Sequence, residues 1–520
     1  MLGFERQRNP EDFLTGSFAL LEGELTNREI QRFKRIRRNW NFYEGYHWEE
    51  FPEQDGPELT VNYCRSFVNK IVSFEMGKAF TFTTKRELES VVVTQDGRTT
   101  FKYLEDVWED NNQYLFGIEM GQMKSVTGEA WVQVRYTPAD ELNDQFGKYP
   151  DGRVQIMLMP TETVWPEYDP HDRKKLIRLT VMYTYKRDIR TGILGRKRTE
   201  EVLYKQVWTD KECAVYDGVN SNPSVYANKY GVIPFVCINN LTVSCRTEGY
   251  SDLEDIIPLN MEFNMKTSDV SEIIDYHAAP VTVVYGAKIG NLEKGANKMW
   301  GGLAKDARVE NLELQGDLGA STNFIDDLKK SMCEVGGVPE SVLGGAQSIS
   351  NTSGVALQYM NLPLIEKCNQ KRMSTEDGLE RLNSLILLVS LLEGIIMKPN
   401  DIPTADFFYT DVDLPDTLPK DELIELQRIQ LELKMGLECR ENAMRRIGKE
   451  NITELMQKID DDMKEHPMFY GVNPIQTTMP SDIHDPIPEV NSGIMNGSNP
   501  KEELRKEMTG RNDSSNMPEG

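Results

Sequence analysis

Few residues of the chain have both the type and the spacing that a catalytic reaction requires. A nucleotide-hydrolysing enzyme binds phosphates through the pattern GxxxxGK followed by Ser or Thr, in which backbone N–H groups and one lysine neutralise the phosphate charge. The nearest segment, 290–295, continues with Ala296 and Asn297. The sequence also has no GxSxG nucleophile elbow and no cysteine in a recognisable catalytic context. We therefore predict no catalytic residue and no enzymatic activity.

Candidate metal ligands are present, but their spacing does not favour a metal site. Zinc sites use His and Cys at short intervals, whereas the five histidines are far apart and form no HxxxH or HExxH pattern: His47, His171, His277, His466 and His484. Asp411 with Asp413, and the run Asp460, Asp461 and Asp462, carry carboxylates that a divalent metal prefers. Carboxylates at turns and solvated helix ends explain them more simply. We predict no metal and no cofactor.

One segment is unusual because it is polar and yet uncharged. Residues 341–365 include no Asp, Glu, Lys or Arg, although 27% of the chain is charged. Glycines let a loop change shape, and amide and hydroxyl side chains form weak, exchangeable hydrogen bonds. The first half of the segment is rich in both kinds of residue: Gly344, Gly345, Gln347, Ser348, Ser350, Asn351 and Thr352.

This neutral segment lies between two predicted helices. Upstream, Asn323 caps an apolar-periodic helix over 324–335, which a Gly-Gly pair and a proline end. Downstream, a helical pattern runs over about 354–397. Pro363 interrupts that pattern, and its missing donor and ring clash predict either a kink or a new helical segment there.

The N-terminal half has the pattern of a sheet-rich α+β body. Thr26 and Glu29 predict a capping box for a basic amphipathic helix, whose charged face is either solvated or a surface for phosphate or an acidic partner. Gly128 opens a strand-like alternation. Further strands are predicted at 154–159, 176–185, 201–208 and 232–238.

A second long helix is predicted to follow this body. Ser251 and Glu254 have the spacing of a capping box, the apolar stripe runs to about His277, and Pro258 separates the first turns from the rest. Short strand-like pieces within 279–319 predict a small insertion between this helix and the one that precedes the neutral segment.

The C-terminal part of the chain is mainly helical. A strand and a proline-marked turn over 406–415 precede three short helices, the first of which begins at Pro419. From about Pro467 the sequence is rich in Pro, Asn, Ser and Gly, which predicts a disordered acidic tail.

The bulk composition excludes some classes of protein. A net charge of -24 argues against a protein that coats nucleic acid by general attraction, because phosphate neutralisation needs clustered Lys and Arg. Seven scattered cysteines without a CxxC pair are typical of a reduced intracellular site of synthesis. The first residues have no apolar signal core, and no apolar run is long enough to span a membrane. We expect a chain without membrane contact.

Seven stretches, in this order and at this spacing, carry a family resemblance: NFYEGYHW, VNYCRSFVNKIVSFEMGKAFTF, YGVIPFVCINN, GYSDLEDIIPLNMEFNMKTSD, DYHAAP, GGVPESVLGG and NTSGVALQYMNLPLIEK. Over roughly residues 25–465 the chain resembles the portal proteins of long-tailed, siphovirus-type bacteriophages. The resemblance implies an α+β portal fold with wing, stem, clip and crown that assembles as a ring.

The resemblance also implies a division of the chain. Its parts are a wing (1–248), a stem helix (249–277), a clip (278–320), a second stem helix (321–338), a tunnel loop (339–353), a long bent helix with a return strand of the wing (354–418) and a helical crown (419–466). The predicted acidic tail (467–520) lies beyond it.

What the resemblance implies about function is a DNA conduit. About twelve copies would form a ring at one capsid vertex of the virion, after synthesis in the host cytoplasm, and double-stranded DNA would enter and leave through it. Implied partners are the terminase, the major capsid and scaffolding proteins, and the head-completion or connector protein. The neutral residues from Gly344 to Thr352 would face the DNA. A lysine or arginine at these positions would bind DNA phosphates in a salt-dependent way and hold the moving duplex.

Two alternatives stay open at this point. The chain is also compatible with a nucleic-acid-processing enzyme of the packaging machinery, or with a virion scaffold or adaptor that has no pore. For the neutral segment, the alternative is a partly buried connector that does not touch DNA.

Overall fold

The structure, a computed structural model, describes the following residues: 23–49, 58–85, 88, 91–142, 147–149, 152–191, 196–218, 222–244, 246–278, 282–285, 308–311, 318–344, 359–415, 422–447 and 452–466. They belong to two compact units, Met1–Pro419 and Lys420–Gly520.

The first helix, α1 (Asn27–Glu44), begins at the capping box that the sequence predicts. The Thr26 hydroxyl accepts a hydrogen bond from the Glu29 backbone N–H at 3.4 Å, and the Glu29 carboxylate accepts one from the Thr26 N–H at 2.8 Å. Gly45 ends the helix in the left-handed conformation, with φ at 98°, which glycine adopts without steric cost.

The basic face of α1 is paired within the chain. Arg35 contacts Glu248 at 2.8 Å and Glu254 at 3.4 Å, while Arg28 and Arg38 each approach one of these carboxylates at 3.5 Å. The acidic partner that the sequence left open is therefore a segment of the same chain, directly before the second long helix.

Arg32 is a basic residue of α1 that does not lie on the charged outer face. Its side chain is buried against Glu129, and it donates a hydrogen bond to the Val164 carbonyl oxygen at 3.0 Å. Burial by itself lowers the pKa of Arg32, but the Glu129 carboxylate outweighs burial and the pKa is raised. A buried ion pair thus joins α1 to the sheets.

Three helices and one short strand follow. They are α2 (Tyr63–Met76), β1 (Thr81–Thr84), α3 (Thr100–Asp110) and α4 (Gln113–Thr127). Their apolar faces meet in one large core, in which Trp108 is fully buried and donates through Nε1 to Asn383 Oδ1 at 2.8 Å. Asn383 lies on a helix formed much later in the chain, so the core spans distant parts of the sequence.

A three-stranded antiparallel sheet of order β3-β2-β9 lies against this core. Its strands are β2 (Glu129–Thr137), β3 (Arg153–Met159) and β9 (Phe235–Asn239). The predicted strand β2 is present, but its burial does not alternate. Trp131, on the face opposite Ala130, Val132 and Val134, is also buried, because it packs on a second sheet with Val164, Leu179, Val181 and Phe235.

The second sheet is an antiparallel meander of order β4-β5-β6-β7-β8. Its strands are β4 (Val164–Tyr168), β5 (Leu176–Thr191), β6 (Arg196–Trp208), β7 (Glu212–Asp217) and β8 (Ser224–Ala227). The long β5–β6 pair extends through thirteen registered residue pairs. This sheet confirms the predicted sheet-rich α+β body.

The second long helix is α5 (Ile256–Ala278), and it begins later than the sequence predicts. Ser251 does not cap it. Its hydroxyl group donates to the Ser125 and Val126 carbonyl oxygens at 2.9 and 2.7 Å and accepts from the Leu253 N–H at 3.1 Å, within the turn before the helix. Pro258 lies in the first turn of the helix, where its missing N–H leaves no hydrogen bond unmade.

Helix α5 leads into strand β10 (Thr282–Tyr285), which pairs antiparallel with β11 (Arg308–Asn311) before helix α6 (Leu318–Gly336). The rest of the predicted insertion, including residues 290–295, lies outside the described residues. Helices α5 and α6 pack on each other.

The longest helix is α7 (Leu362–Leu392), which has Pro363 in its first turn. Of the two predicted effects of Pro363, the start of a new helical segment is confirmed. After α8 (Thr404–Phe407), strand β12 (Thr410–Asp413) pairs antiparallel with β1, and the chain returns to the N-terminal half.

The second unit contains three helices, α9 (Glu422–Met435), α10 (Arg440–Arg446) and α11 (Ile452–Glu465). Its described part has few buried apolar side chains, Ile429 and Ala443 among them, while Leu426, Leu431, Met435 and Leu437 are exposed. Ion pairs contribute to its structure: Arg446 contacts Glu438 at 3.1 Å, and Arg428 contacts Glu432 at 2.9 Å.

Candidate functional site

The neutral segment leaves α6 at a point of very close packing. A Cβ at Gly336 would lie 2.4 Å from the Phe67 ring and 3.0 Å from Ile256, so only glycine lets the end of α6 approach α2 and the start of α5. Gly337 then adopts φ +65°, and Val338 is fully buried. Gly336 therefore permits the close approach of the helices, and Gly337 permits the left-handed turn that follows.

A short turn anchors the beginning of the segment. Val342 N donates to the Pro339 carbonyl oxygen at 3.0 Å, and Leu343 N donates to the Glu340 carbonyl oxygen at 3.1 Å. The Glu340 carboxylate accepts from Lys329 Nζ on α6 at 2.6 Å, and this hydrogen bond lowers the pKa of Glu340. The turn is thus fixed to α6 before the polar residues begin.

Of the seven residues predicted to face DNA, the structure describes one. Gly344 follows the turn with φ +97° and has no atom within 4 Å of an added Cβ. Gly345, Gln347, Ser348, Ser350, Asn351 and Thr352 lie outside the described residues. Gly344 is therefore the last residue of the segment that the structure describes before Tyr359.

The described part of the segment resumes at Tyr359 and continues into α7. Leu364 is fully buried, but Tyr359 is 72% exposed and Leu362 43% exposed. Lack of charge near Leu364 reflects burial. The same explanation is wrong for Tyr359 and Leu362, which are apolar and yet largely accessible in the single chain.

Helices α5 and α6 flank the β10–β11 hairpin. The burial of their apolar side chains changes along their length. Near the body, apolar side chains of both helices are buried, including Met261, Phe263, Leu328 and Met332. Farther out, Ile274 on α5 and Phe324 on α6 are about half exposed, at 53% and 49%. The outer halves of both helices thus leave apolar surface uncovered within one chain.

Polar side chains of α5 form hydrogen bonds with backbone N–H groups of the N-terminal half. Asn260 Oδ1 accepts from the backbone N–H groups of Tyr63 and Cys64 at 3.1 and 3.2 Å. Asn264 Oδ1 accepts from Val61 N at 3.0 Å, and Ser268 Oγ accepts from Leu59 N at 3.1 Å. Because the three residues are four apart, they lie on one face of α5 and bind the start of α2 and the residues that lead into it.

A buried ion cluster lies where α2, α4, α5 and α7 meet. Its members are Glu75 on α2, Lys124 on α4, Asp252 before α5, and Lys367 and Lys371 on α7. Sequence reasoning missed all five, because lysines and carboxylates on helices are usually solvated. The one available signal was the four-residue spacing of Lys367, Lys371 and Thr375 on a single face of α7.

Among the residues that the structure describes, those considered for metal binding or catalysis do not assemble; His484 lies outside them. Asp411 and Asp413 lie on β12 opposite Thr83 and Thr81, and Asp461 contacts Lys464 at 3.0 Å. Buried His47 contacts Phe42 and Asn264. Within the described ranges, no group of three or more His, Cys, Asp or Glu side chains could hold a metal ion, and no helix there is long and apolar enough to cross a membrane.

The family comparison defines the class of protein as a structural, non-enzymatic component of a virus particle. The chain belongs to the phage portal proteins, since residues 22–466 match the family described as "Phage portal protein, SPP1 Gp6-like". Membership confirms the predicted family and fold class and the prediction that the chain is not an enzyme. It implies a homo-oligomeric ring within the virion.

Solved structures of gene transfer agent (GTA) particles are distantly similar. A chain of the native GTA virion has 10% identity and a TM-score of 0.36, and a chain from the neck of an empty GTA particle has 10% identity and a TM-score of 0.38. Each match covers 74% of this chain and 89% of the other. TM-scores this low carry no further structural inference. No curated protein matches the sequence.

Proposed function

We propose that about twelve copies of this portal protein form a ring at one capsid vertex, through which double-stranded DNA is packaged and ejected. The match to the portal family over residues 22–466 carries the proposal. The ring also serves as the docking platform for the terminase and for the head-completion or connector protein. During assembly it contacts the major capsid and scaffolding proteins.

Parts of the chain take the roles that the family resemblance implies. The body with its two sheets forms the wing, α5 and α6 form the stem, and the β10–β11 hairpin belongs to the clip. Helices α9, α10 and α11 form the crown. The uncovered apolar residues Ile274 and Phe324 support this arrangement, because a ring buries such surface between neighbouring copies.

The tunnel loop is residues 339–353, and its residues from Gly344 to Thr352 face the DNA that passes. A segment of 25 residues without a charge fits this role, because a fixed cation would bind phosphates and slow a moving duplex. The net charge of -24 per chain supports it as well, since a negative ring repels DNA from most of its surface.

A DNA-packaging assay tests whether the tunnel loop contacts DNA. Particles assembled with Gln347→Lys or Ser350→Lys should form normally but package or retain less DNA, and the defect should shrink at higher salt because phosphate contacts are screened. Ser224→Lys, on the exposed edge strand β8, makes the same chemical change away from the loop and serves as the control. Wild-type packaging by both loop variants would contradict contact between the loop and DNA.

A further inference from the structure

The buried ion cluster joins the helix after the tunnel loop to four other parts of the molecule. Lys371 on α7 is central: its Nζ donates to Asp252 Oδ2 at 2.9 Å and to Ser125 Oγ at 2.8 Å, and lies 3.1 Å from Glu75 Oε2. The side chains of Lys371, Asp252 and Glu75 have no exposed surface. One ammonium group thus connects α2, α4 and α7 with the residue that leads into α5.

The chain of contacts continues in both directions along α7. Toward the tunnel loop, Lys367 Nζ lies 3.0 Å from Asp252 Oδ1 and donates to the Gly336 carbonyl oxygen, the last of α6, at 2.9 Å. Away from the loop, Thr375 Oγ1 donates to Glu75 Oε1 at 3.1 Å, and Lys124 Nζ contacts both groups. Three successive turns of α7 are therefore fixed by charged or hydroxyl groups.

The cluster has three amines and two carboxylates, and the directions of the pKa shifts of its members follow from this composition. Burial alone raises the pKa of Glu75 and of Asp252, but the neighbouring lysines outweigh burial and lower both values. Burial lowers the pKa of Lys371, yet the two carboxylates raise it overall. Lys124 has Glu75 as its close carboxylate and faces Lys371, so burial prevails and its pKa is lowered.

An arrangement of this kind specifies position more than it adds stability. The desolvation of two buried charges offsets much of their attraction, while removing one partner leaves the other buried and unpaired. A shift of α7 along its axis would separate Lys367 and Lys371 from their carboxylates at the same time. The contacts therefore favour one register of α7 against α2, α4 and the ends of α5 and α6.

We propose that the buried ion cluster positions the first turns of α7, and through them the tunnel loop, relative to α5, α6 and the wing. The residues of the cluster are positioning residues, because they lie inside the protein and act through the segment between Gly337 and Leu362. The consequence for DNA rests on the proposed conduit function; the consequence for α7 does not.

Amide hydrogen exchange on the full-length protein tests the position of α7 directly. Lys371→Met should speed exchange about 100-fold or more over the first turns of α7, the start of α5 and the end of α6, while strands β4 to β8 stay as in the wild type. Lys330→Met, which changes an exposed lysine on α6, is the control and should leave every segment unchanged.

A second variant covers the case in which Lys371→Met does not fold. Lys367 is 16% exposed and stands at the edge of the cluster, so Lys367→Met should fold and should loosen the same turns to a smaller extent. Exchange in α7 equal to that of the wild type in the folded variants would overturn the proposal. Equal acceleration in α7 and in strands β4 to β8 would also overturn it, since that result indicates general destabilisation.

A packaging assay separates this proposal from the conduit function. Lys367→Met rings should assemble and package less DNA than rings with Lys330→Met. Selective loosening of α7 with normal packaging would overturn the link from the cluster to the tunnel loop. Absence of rings or of packaging in the wild-type protein would instead contradict the proposed function, and the exchange result would remain valid.

Discussion

At the scale of single residues, buried polar groups have the most specific roles. His47 is fully buried and stacks on Phe42, with its ring centroid 4.7 Å from that of Phe42. Its Nε2 lies 2.9 Å from the Phe42 carbonyl oxygen, and its Nδ1 lies 2.7 Å from the Asn264 amide nitrogen. Because Asn264 Oδ1 is already bound to Val61 N, the amide nitrogen must donate and His47 must be neutral.

The free energy of unfolding should therefore fall in mild acid. Burial lowers the pKa of His47 below its ordinary value of 6.5, so its contribution is complete above that value and is lost as the pH falls through the lowered pKa. His47→Gln should flatten the profile between about pH 7 and 5 and cost about 1–2 kcal/mol at pH 7.

Chemical denaturation across pH measures this effect. The exposed His171 offers a matched control, because His171→Gln should keep the wild-type profile. A His47→Gln protein whose unfolding free energy depends on pH as steeply as that of the wild type would contradict the assignment.

Sequence reasoning works at this scale only where the partner is close along the chain. Thr26 and Glu29 are three residues apart, and their capping box is as predicted. Ser251 and Glu254 have the same spacing, but Ser251 is occupied by carbonyl groups of residues 125 and 126. Arg32 and Lys371 are likewise paired with carboxylates roughly a hundred or more residues away, which no local pattern encodes.

At the scale of elements, α6 and α7 on either side of the neutral segment are held by close packing as well as by ion pairs. Gly336→Ala should destabilise the protein by about 1–3 kcal/mol, because its Cβ would overlap the Phe67 ring at 2.4 Å. Gly117→Ala on α4, whose nearest neighbour is Met76 Sδ at 4.0 Å, should stabilise it by about 0.5–1 kcal/mol.

Denaturant midpoints of the two alanine variants distinguish packing from helix propensity. Opposite signs support the close approach of α6 to α2 and α5. If both substitutions stabilise the protein, the end of α6 has room for a side chain and the close approach of α6 to Phe67 and Ile256 is wrong.

Element types were largely predictable, because strand alternation, the capping box and the Pro363 break are local signals. Their boundaries and packing were not. The late start of α5 depends on Ser125 and Val126, and the burial of Trp131 depends on a second sheet that covers the other face of β2. For the candidate site, the sequence indicates which residues are neutral, and the structure adds how the segment is held at both ends.

At the scale of the whole molecule, the single chain exposes several large apolar side chains. Ile274 and Phe324 are exposed on the outer halves of α5 and α6, and Leu426, Leu431, Met435 and Leu437 are exposed on or near α9. In the homo-oligomeric ring that family membership implies, neighbouring copies can cover such side chains. The net charge of -24 per chain adds mutual repulsion that such contacts must overcome, so ring formation should be favoured by added salt.

Ring formation itself was accessible from the sequence only through family resemblance. Composition and periodicity predict an α+β body with a helical C-terminal part, but symmetry depends on surfaces that meet between copies, and no pattern within one chain specifies their angle.

Electron microscopy of the purified full-length protein tests the central proposal most directly. We predict closed rings of about twelve subunits with a central opening wide enough for a DNA duplex, formed equally by the wild type and by Gln347→Lys. Monomers or dimers under all salt conditions, or assemblies without a central opening, would contradict the portal ring.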